Sequence, residues 1–546
     1  MSTSESSTNV FPPDREFGAF SSNPPWLIDT QEIEWLSSID SFRKESRQVV
    51  PQLIKRKRFP PGLRILTTAY YLGGALITWR LFDRRRSHEY SRVGLARRLR
   101  NSFERLGPTY IKLGQIISSG EGIFPTELVD QFKSLRDQVA PERFDVVRTT
   151  IETELGSNLE TIFSEFDQSA LAAASIAQVY KARLRSGEPV VVKVQRSKID
   201  RTVRDDLAAM SYFAPALIGR IPVASLANPP ALVELFAETI VEELDFRLEA
   251  CNMLDIAHIL HETNQTALVV PRPHPRYVTR KVLVMEELSG FPWDNVADIR
   301  AAGVDTSEVI RSAMIAFMEG AVIYGIFHGD LHGGNLLVQS DGVVALLDYG
   351  MTGRLTENNR QAFLKLLLGG TINDVRAQVG ALRDLGALPP DTDLEEVIAD
   401  LGLEGPPIDP MKLAPEELTA QVREITKALL GYGAKMPKEL MLFIKDMLFL
   451  DSSMSKYAPD VNIFSEIMHL AEYFTSKHGE KIAADVGIDP RLVTVDLASI
   501  RGSLGLEASV EQITYKELHQ RRELIRKRMQ NKERQRHRRS QVFRRK

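Results

Sequence analysis

Apolar positions along this chain fall into two rhythms, one helical and one extended. Leu95, Leu99, Phe103 and Leu106 are spaced to line one buried face of a helix that begins near Ser91. Gly107-Pro108 breaks it, and the pattern predicts a second helix from Thr109 (TYIKLGQIISS). Ala177–Leu184 (AQVYKARL) and residues 189–194 (PVVVKV) are instead strand-like runs around Arg185-Ser186-Gly187-Glu188, which predicts a hairpin with glycine in its turn. A long helical stretch follows from residue 230 to about 261, then a strand at 281–286 (KVLVME) and an apolar helix over 309–324. Residues 343–347 (VVALL) read as a short buried strand. Residues 356–480 read as mostly helical, with loops near Leu388-Pro389-Pro390 and Gly405-Pro406-Pro407. A small β-rich unit followed by a larger helical one makes the fold class α+β.

Composition adds scale. At 546 residues the chain exceeds one ordinary domain. Its 43% hydrophobic content is ample for real cores. One cysteine, Cys251, excludes a disulfide within the chain and suits a reducing compartment. The first residues (MSTSESSTNVFPPD) lack a basic region followed by an apolar one, so they are no secretory signal and read as a disordered leader over 1–25.

Charge sharpens two segments. Residues 65–79 (ILTTAYYLGGALITW) are uncharged but fall short of the ~20 needed to span a bilayer. Lys55 to Arg58 and Arg64 flank them on one side, and Arg80 and Arg84 to Arg86 on the other. That pattern suits a helix lying among lipid headgroups, or equally a buried helix with solvated ends. No later stretch is long enough to span a membrane. The chain carries a net charge of −3, yet residues 516–546 hold fourteen Lys/Arg against three acidic residues. This tail reads as a solvated helix or arm, or as a contact for an anionic surface. Phe543 is the lone aromatic among its cations, so nucleic acid is not an expected partner.

The chemistry concentrates in HGDLHGGN (328–335) and LLDYG (346–350). An Asp and an Asn five positions apart on a glycine-rich loop, with a second Asp eighteen residues on, suit phosphoryl transfer. Asp330 would orient or deprotonate an attacking hydroxyl, while Asn335 and Asp348 would ligate Mg²⁺. His328 and His332 share helical zinc-pair spacing, but Gly329, Gly333 and Gly334 argue against a helix. His328 is therefore expected as a structural loop residue and His332 as a donor near the transferred phosphate. Lys193, inside an apolar strand, is costly unless paired, and is the expected cation on the α/β-phosphates. EELDFRLEA (242–250) offers its partner: on one continuous helix, Glu243 and Glu249 stand about 120° apart, so Glu249 can face Lys193 while Glu243 points elsewhere. Where a protein kinase has a glycine-rich loop, this chain has Ala172-Ala173-Ala174-Ser175, a stiffer lid.

Four of these features together resemble the UbiB family of atypical protein-kinase-like proteins, the aarF-domain-containing kinases. Lys112-Leu113-Gly114-Gln115 is similar to that family's KxGQ motif and Ala172 to Ser175 to its alanine-rich loop. Glu243-Leu244-Asp245 is similar to its ExD motif, and HGDLHGGN with Asp348-Tyr349-Gly350 to its catalytic and metal loops. Leu331, Gly333 and Tyr349 depart from the proline, proline and phenylalanine of many members. The resemblance covers about residues 90–355.

It implies a two-lobed protein-kinase-like fold, with an N-terminal helical extension over the cleft and a mostly helical C-lobe. Joined to the residue patterns above, it divides the chain into a basic and apolar membrane-interfacial stretch at 26–90, the KxGQ extension at 91–163, an N-lobe at 164–287, a C-lobe at 288–480 and a helical region with basic tail at 481–546. It further implies ATP (or ADP) and Mg²⁺ as cofactors. Asp330, Lys193, Glu249 and Lys112 would be catalytic. Ala172, Ala173, Ala174, Ser175, Lys193 and Glu286 would hold nucleotide, and Asn335 and Asp348 the metal. Gln115, Glu243 and Asp245 would be regulatory, with Lys112 facing Glu243 and Asp245. The implied activity is an atypical kinase or ATPase supporting isoprenoid-quinone or related lipid metabolism, peripheral on the cytoplasmic face of a membrane and not secreted. A small-molecule phosphotransferase of the aminoglycoside-kinase type shares the HGDLHxGN run but lacks KxGQ and the alanine loop. A non-catalytic nucleotide-dependent scaffold is the third reading.

Overall fold

Alternation along 189–195 builds the sheet on which the site depends. Val190, Val192 and Val194 are fully buried on one face, and Lys193 falls on the other. The strand Pro189–Gln195 pairs antiparallel with Ala177–Leu184, which sets Val179 opposite Lys193, and with Val282–Glu286, which sets Leu283 opposite it. Phe163–Phe166 and Pro273–Val278 complete the path at its two edges, and Ala172–Ala173 adds a short pairing to Ala177–Leu184. The hairpin turn runs as expected, with Gly187 at φ 108°, a conformation that favours glycine.

The computed structural model describes residues 19–527, apart from 22–23, 30–32, 56–61, 85–87, 120–123, 136–138, 218–228, 404–427, 429–430, 435–436, 488–490, 492–494, 508 and 526. The expected loop at Gly405-Pro406-Pro407 and most of the basic tail therefore lie outside the described residues.

The inward valines meet Tyr180 and Val284 of the sheet, and Val147 and Ile151 of the helix Phe144–Leu155. Each such aliphatic side chain contributes about 1.5–3 kcal/mol by leaving water. This helix fell within the extension expected at 91–163, but its apolar face belongs to the sheet's core. The helices His88–Leu106, Pro108–Ser119 and Thr126–Phe132 pack on one another ahead of it. Gly114 sits where a Cβ would lie 2.2 Å from Leu135 Cδ1 and 2.8 Å from Phe132 Cδ1, so the glycine of Lys112-Leu113-Gly114-Gln115 is required by close packing.

The long acidic helix expected over 230–261 is two helices, Pro229–Glu243 and Phe246–Glu262. Asp245 causes the break: it takes an extended conformation (φ −137°, ψ 102°) and its side chain accepts from the Arg247 backbone N–H as an N-cap. The helical unit that follows is centred on Thr306–Met318, Glu357–Thr371, Lys438–Tyr457 and Ile463–Val486. Phe317, Phe327, Phe363 and Phe443 pack edge-on and stacked between these helices.

Two ends of the chain differ from expectation. Ala19 and Phe20, assigned to a disordered leader, are buried. The Ala19 carbonyl accepts from Val270 N–H, and Arg272 lies over the Phe20 ring. The start of the basic tail is also docked: Tyr515 and Leu518 are buried, and Arg522 pairs with Asp451. Both segments carry apolar side chains that periodicity over a few residues does not reveal.

Candidate active site

Short strands deliver the two chemical loops. Ile326–His328 pairs antiparallel with Thr352–Arg354, and Leu336–Val338 with Val344–Leu346. The segments 329–335 and 347–351 each run from one pair to the other, so the two loops lie side by side. His328 locks them to each other. Its Nδ1 accepts from the Asp330 backbone N–H at 3.1 Å, so its proton sits on Nε2, which donates to the Asp348 carbonyl. Burial pushes this imidazole down to about 4, so it stays neutral. His328 is thus the structural loop residue expected.

Lys193 reaches across to Glu249 at 2.7 Å and to Asp348 at 3.3 Å. Burial alone would favour the neutral amine, but Asp348 and Glu249 hold the ammonium charged well above its ordinary range. Burial pushes Glu249 up to about 7 against the pull of Lys193. Glu249 also accepts from the Tyr349 backbone N–H at 3.4 Å, which ties the helix to the Asp-Tyr-Gly loop.

Lys112 enters from the extension and meets Glu243 at 3.0 Å. Burial would lower its pKa, but Glu243, then Asp330 and Asp348, hold it charged. Asp245 was expected to share this lysine and does not. Having started the next helix, it turns to the Arg247 guanidinium at 2.6 Å and 2.9 Å.

Asp330 pairs with Lys445 of the helix Lys438–Tyr457. Burial would raise its pKa, but Lys445 and Lys112 hold it well below the usual carboxylate range. The next residue, Asp446, is buried and accepts from the Leu331 backbone N–H at 2.9 Å. Burial raises Asp446 well above the usual carboxylate range, against the pull of Lys445. Sequence reasoning missed both residues. The signal was available as a Lys-Asp pair inside the apolar run 440–450 (LMLFIKDMLFL).

The expected metal ligands are oxygen donors of the kind magnesium prefers. Asn335 donates its amide N–H to the Asp330 carbonyl at 3.0 Å, which leaves Oδ1 as its remaining acceptor. Asp348, held to about 2 by Lys193 and Lys112 against the effect of burial, keeps 42% of its side chain exposed. Among the described residues there is no group of three or more His, Cys, Asp or Glu side chains able to hold a metal. One carboxylate and one amide oxygen fit a cation whose remaining ligands come from phosphate and water. His332 is half exposed, 3.9 Å from Asp330, with its Nδ1 accepting from Gly334 N–H at 3.1 Å.

The alanine stretch lies beside this cluster. Ala172 is opposite Val179, which is in turn opposite Lys193. Ala172 and Ala174 are exposed, Ala173 partly so, and Ser175 is buried. Glu286 is committed elsewhere: its carboxylate takes the Ser21 hydroxyl and the Arg272 backbone N–H, and its own N–H donates to the Arg272 carbonyl at 2.9 Å. Gln115 lies one helical turn beyond Lys112, and its side chain is partly buried.

Comparison with known proteins meets this geometry. A family model described as the ABC1 atypical kinase-like domain matches residues 134–381. An uncharacterised protein of Mycobacterium tuberculosis is 35% identical over 69% of this chain and 78% of its own length. An Arabidopsis thaliana chloroplast protein named as an uncharacterised aarF domain-containing protein kinase is 30% identical, over 67% of this chain and 73% of its own. A probable protein kinase UbiB of Aeromonas hydrophila is 28% identical, over 68% and 69% respectively.

Proposed function

The chain belongs to the ABC1 atypical kinase-like, aarF-domain-containing family, and from that premise we propose that it is an Mg-ATP-dependent atypical kinase or ATPase acting at a membrane surface in isoprenoid-quinone or related lipid metabolism. The observation that carries the reading is the buried Lys193, held between Glu249 at 2.7 Å and Asp348 at 3.3 Å. Such a lysine costs several kcal/mol to bury unless it is paired, and its placement beside the metal carboxylate suits it to phosphate. We read the six-stranded sheet and the helical unit as two lobes with the nucleotide between them.

In this reading Lys193 binds the α/β-phosphates and Glu249 fixes it. Asp348 and Asn335 hold Mg²⁺, which when bound offsets charge on the phosphate oxygens. Asp330 orients the acceptor. Lys112, drawn into the cluster by Glu243, stands where a protein substrate's hydroxyl would dock, so water or a lipid is the favoured acceptor. One observation favours the scaffold reading as an alternative: the Lys445 ammonium on Asp330 weakens that carboxylate as a base.

The membrane part of the proposal is supported by the helix Arg64–Thr78 and the π-type turn Trp79–Asp83 after it. Ile65, Thr68 and Ala75 are buried against the protein, while Leu63, Leu66, Tyr70, Ile77, Leu81 and Phe82 are each more than 55% exposed. Their spacing is that of one helical face. Arg80 and Arg84 flank its far end, whereas Arg64 at the near end is turned inward to the buried Asp206 at 2.5 Å. No helix among the described residues is long and apolar enough to cross a membrane, so contact along the headgroups is the form proposed.

The test is ATP hydrolysis by the purified chain with and without anionic liposomes and isoprenoid precursors. Lipid-stimulated turnover supports the proposal. Tight Mg-ATP binding with no turnover under any of these conditions would favour the scaffold, and no binding would refute both.

A further inference from the structure

Arg196 follows the phosphate lysine by three residues and no role above uses it. Its side chain is buried, yet no carboxylate is hydrogen-bonded to it. The whole guanidinium fork goes to backbone carbonyls: Nε to Ala174 O at 3.0 Å, Nη1 to Ala140 O at 3.0 Å and Nη2 to Val139 O at 3.2 Å. One acceptor is in the alanine loop. The other two are in residues 139–142, the strap that leads out of the helical extension.

The strap is fastened to the loop in further ways. Val139 N–H donates to Ala173 O at 3.1 Å. Glu142 accepts from the Ser197 backbone N–H at 3.1 Å and hydroxyl at 3.0 Å, and its own N–H donates to Gln178 at 2.8 Å. Upstream, Leu135 packs against Gly114 of the helix that carries Lys112. The extension thus grips the site twice, at Glu243 through Lys112 and at the alanine loop through the strap.

We propose that Arg196 is a positioning residue that clamps the alanine loop to the strap, so that nucleotide occupancy and the seating of the helical extension form one coupled equilibrium. The inference rests on the nucleotide reading above. Its physical basis is local. Peptides are planar and trans, so fixing Ala174 C=O on the guanidinium aims the Ser175 N–H the opposite way. Alanine narrows the loop's freedom relative to glycine, and the guanidinium selects one of the postures that remain. A ligand that orders the loop then orders the strap, and the reverse holds by reciprocity.

The experiment uses the full chain and two variants, R196M and R196K. Mg-ADP and Mg-ATP affinities are measured by calorimetry, and hydrogen exchange is followed at residues 108–119 and 139–142 with and without nucleotide. Wild type is expected to gain protection at both segments on binding. R196M is expected to weaken nucleotide by about tenfold and to lose the nucleotide dependence of exchange at both segments. R196K keeps the charge but cannot span three carbonyls, so its values fall between; should R196M be recovered unfolded, R196K carries the test alone. A purely structural clamp would lower stability and leave the nucleotide-dependent difference in exchange intact, which overturns the proposal. So does R196M, or R196K where it stands alone, with wild-type affinity and wild-type coupling. A wild type that binds neither nucleotide refutes the nucleotide reading, and this inference with it.

Discussion

The Lys445–Asp330 pair joins residues 115 apart in sequence, and its side chains are 13% and 16% exposed. Replacing Lys445 by methionine keeps most of the stem and removes the charge, which leaves Asp330 buried with Lys112 as its remaining nearby cation. Breaking a buried pair typically costs about 3–5 kcal/mol, much of it the penalty on the stranded partner. Because Lys112 still supports Asp330, a double-mutant cycle over K445M and D330N should return a coupling of about 1.5–3 kcal/mol. Urea unfolding of the four proteins supplies the values. The pH dependence follows in sign. Asp330 is held below its unfolded value, so the pair's stabilisation is complete above the ordinary carboxylate range and is lost only as pH falls below it. The coupling should therefore be constant between pH 7 and pH 5. A coupling below about 0.5 kcal/mol, or one that fades across that interval, would show that the pair does not hold the catalytic loop.

Three further outcomes follow from the same contacts. D348N removes the one anionic metal ligand and a partner of Lys193, so calorimetry should show Mg-ATP weakened by about tenfold or more; binding as tight as wild type refutes the metal assignment. G114A forces a Cβ into Phe132 and Leu135, and thermal unfolding should report a loss of about 1–3 kcal/mol, as overpacking usually costs; a neutral result means the extension is seated differently. A173G loosens a short strand by about 0.5–1 kcal/mol and should alter the ratio of ADP to ATP affinity, and an unchanged ratio counts against the alanine loop as a nucleotide lid.

Much of the site was legible because its signals are local. The hairpin declares itself by Gly187 between two apolar runs, and the Asp330, Asn335 and Asp348 spacing needs no fold to be read. Lys193 was legible through the cost of its position. The break at Asp245 was not, since acidic residues at helical spacing look alike whether they continue a helix or cap the next one. Lys445 reaches Asp330 only through the packing of a distant helix, and Ala19 and Phe20 find their pocket against residues 270–272. No periodicity encodes either contact. The composition of 516–527 suggests a solvated arm because its cations outnumber Leu518, which docks it together with the preceding Tyr515.

The lysines and carboxylates gathered around Asp330 have an electrical consequence. Lys112, Lys193 and Lys445 face Glu243, Glu249, Asp330 and Asp348, while His328 is neutral and burial disfavours the charged form of Asp446. Fully ionised, the cluster carries one more negative charge than positive. Unlike a basic phosphate trap, it offers a bare triphosphate no net attraction. On the proposed reading, a nucleotide is admitted only once a divalent cation has cancelled part of its charge. On that reading the site would recognise the metal complex as a unit, and free magnesium would set the fraction of nucleotide open to it.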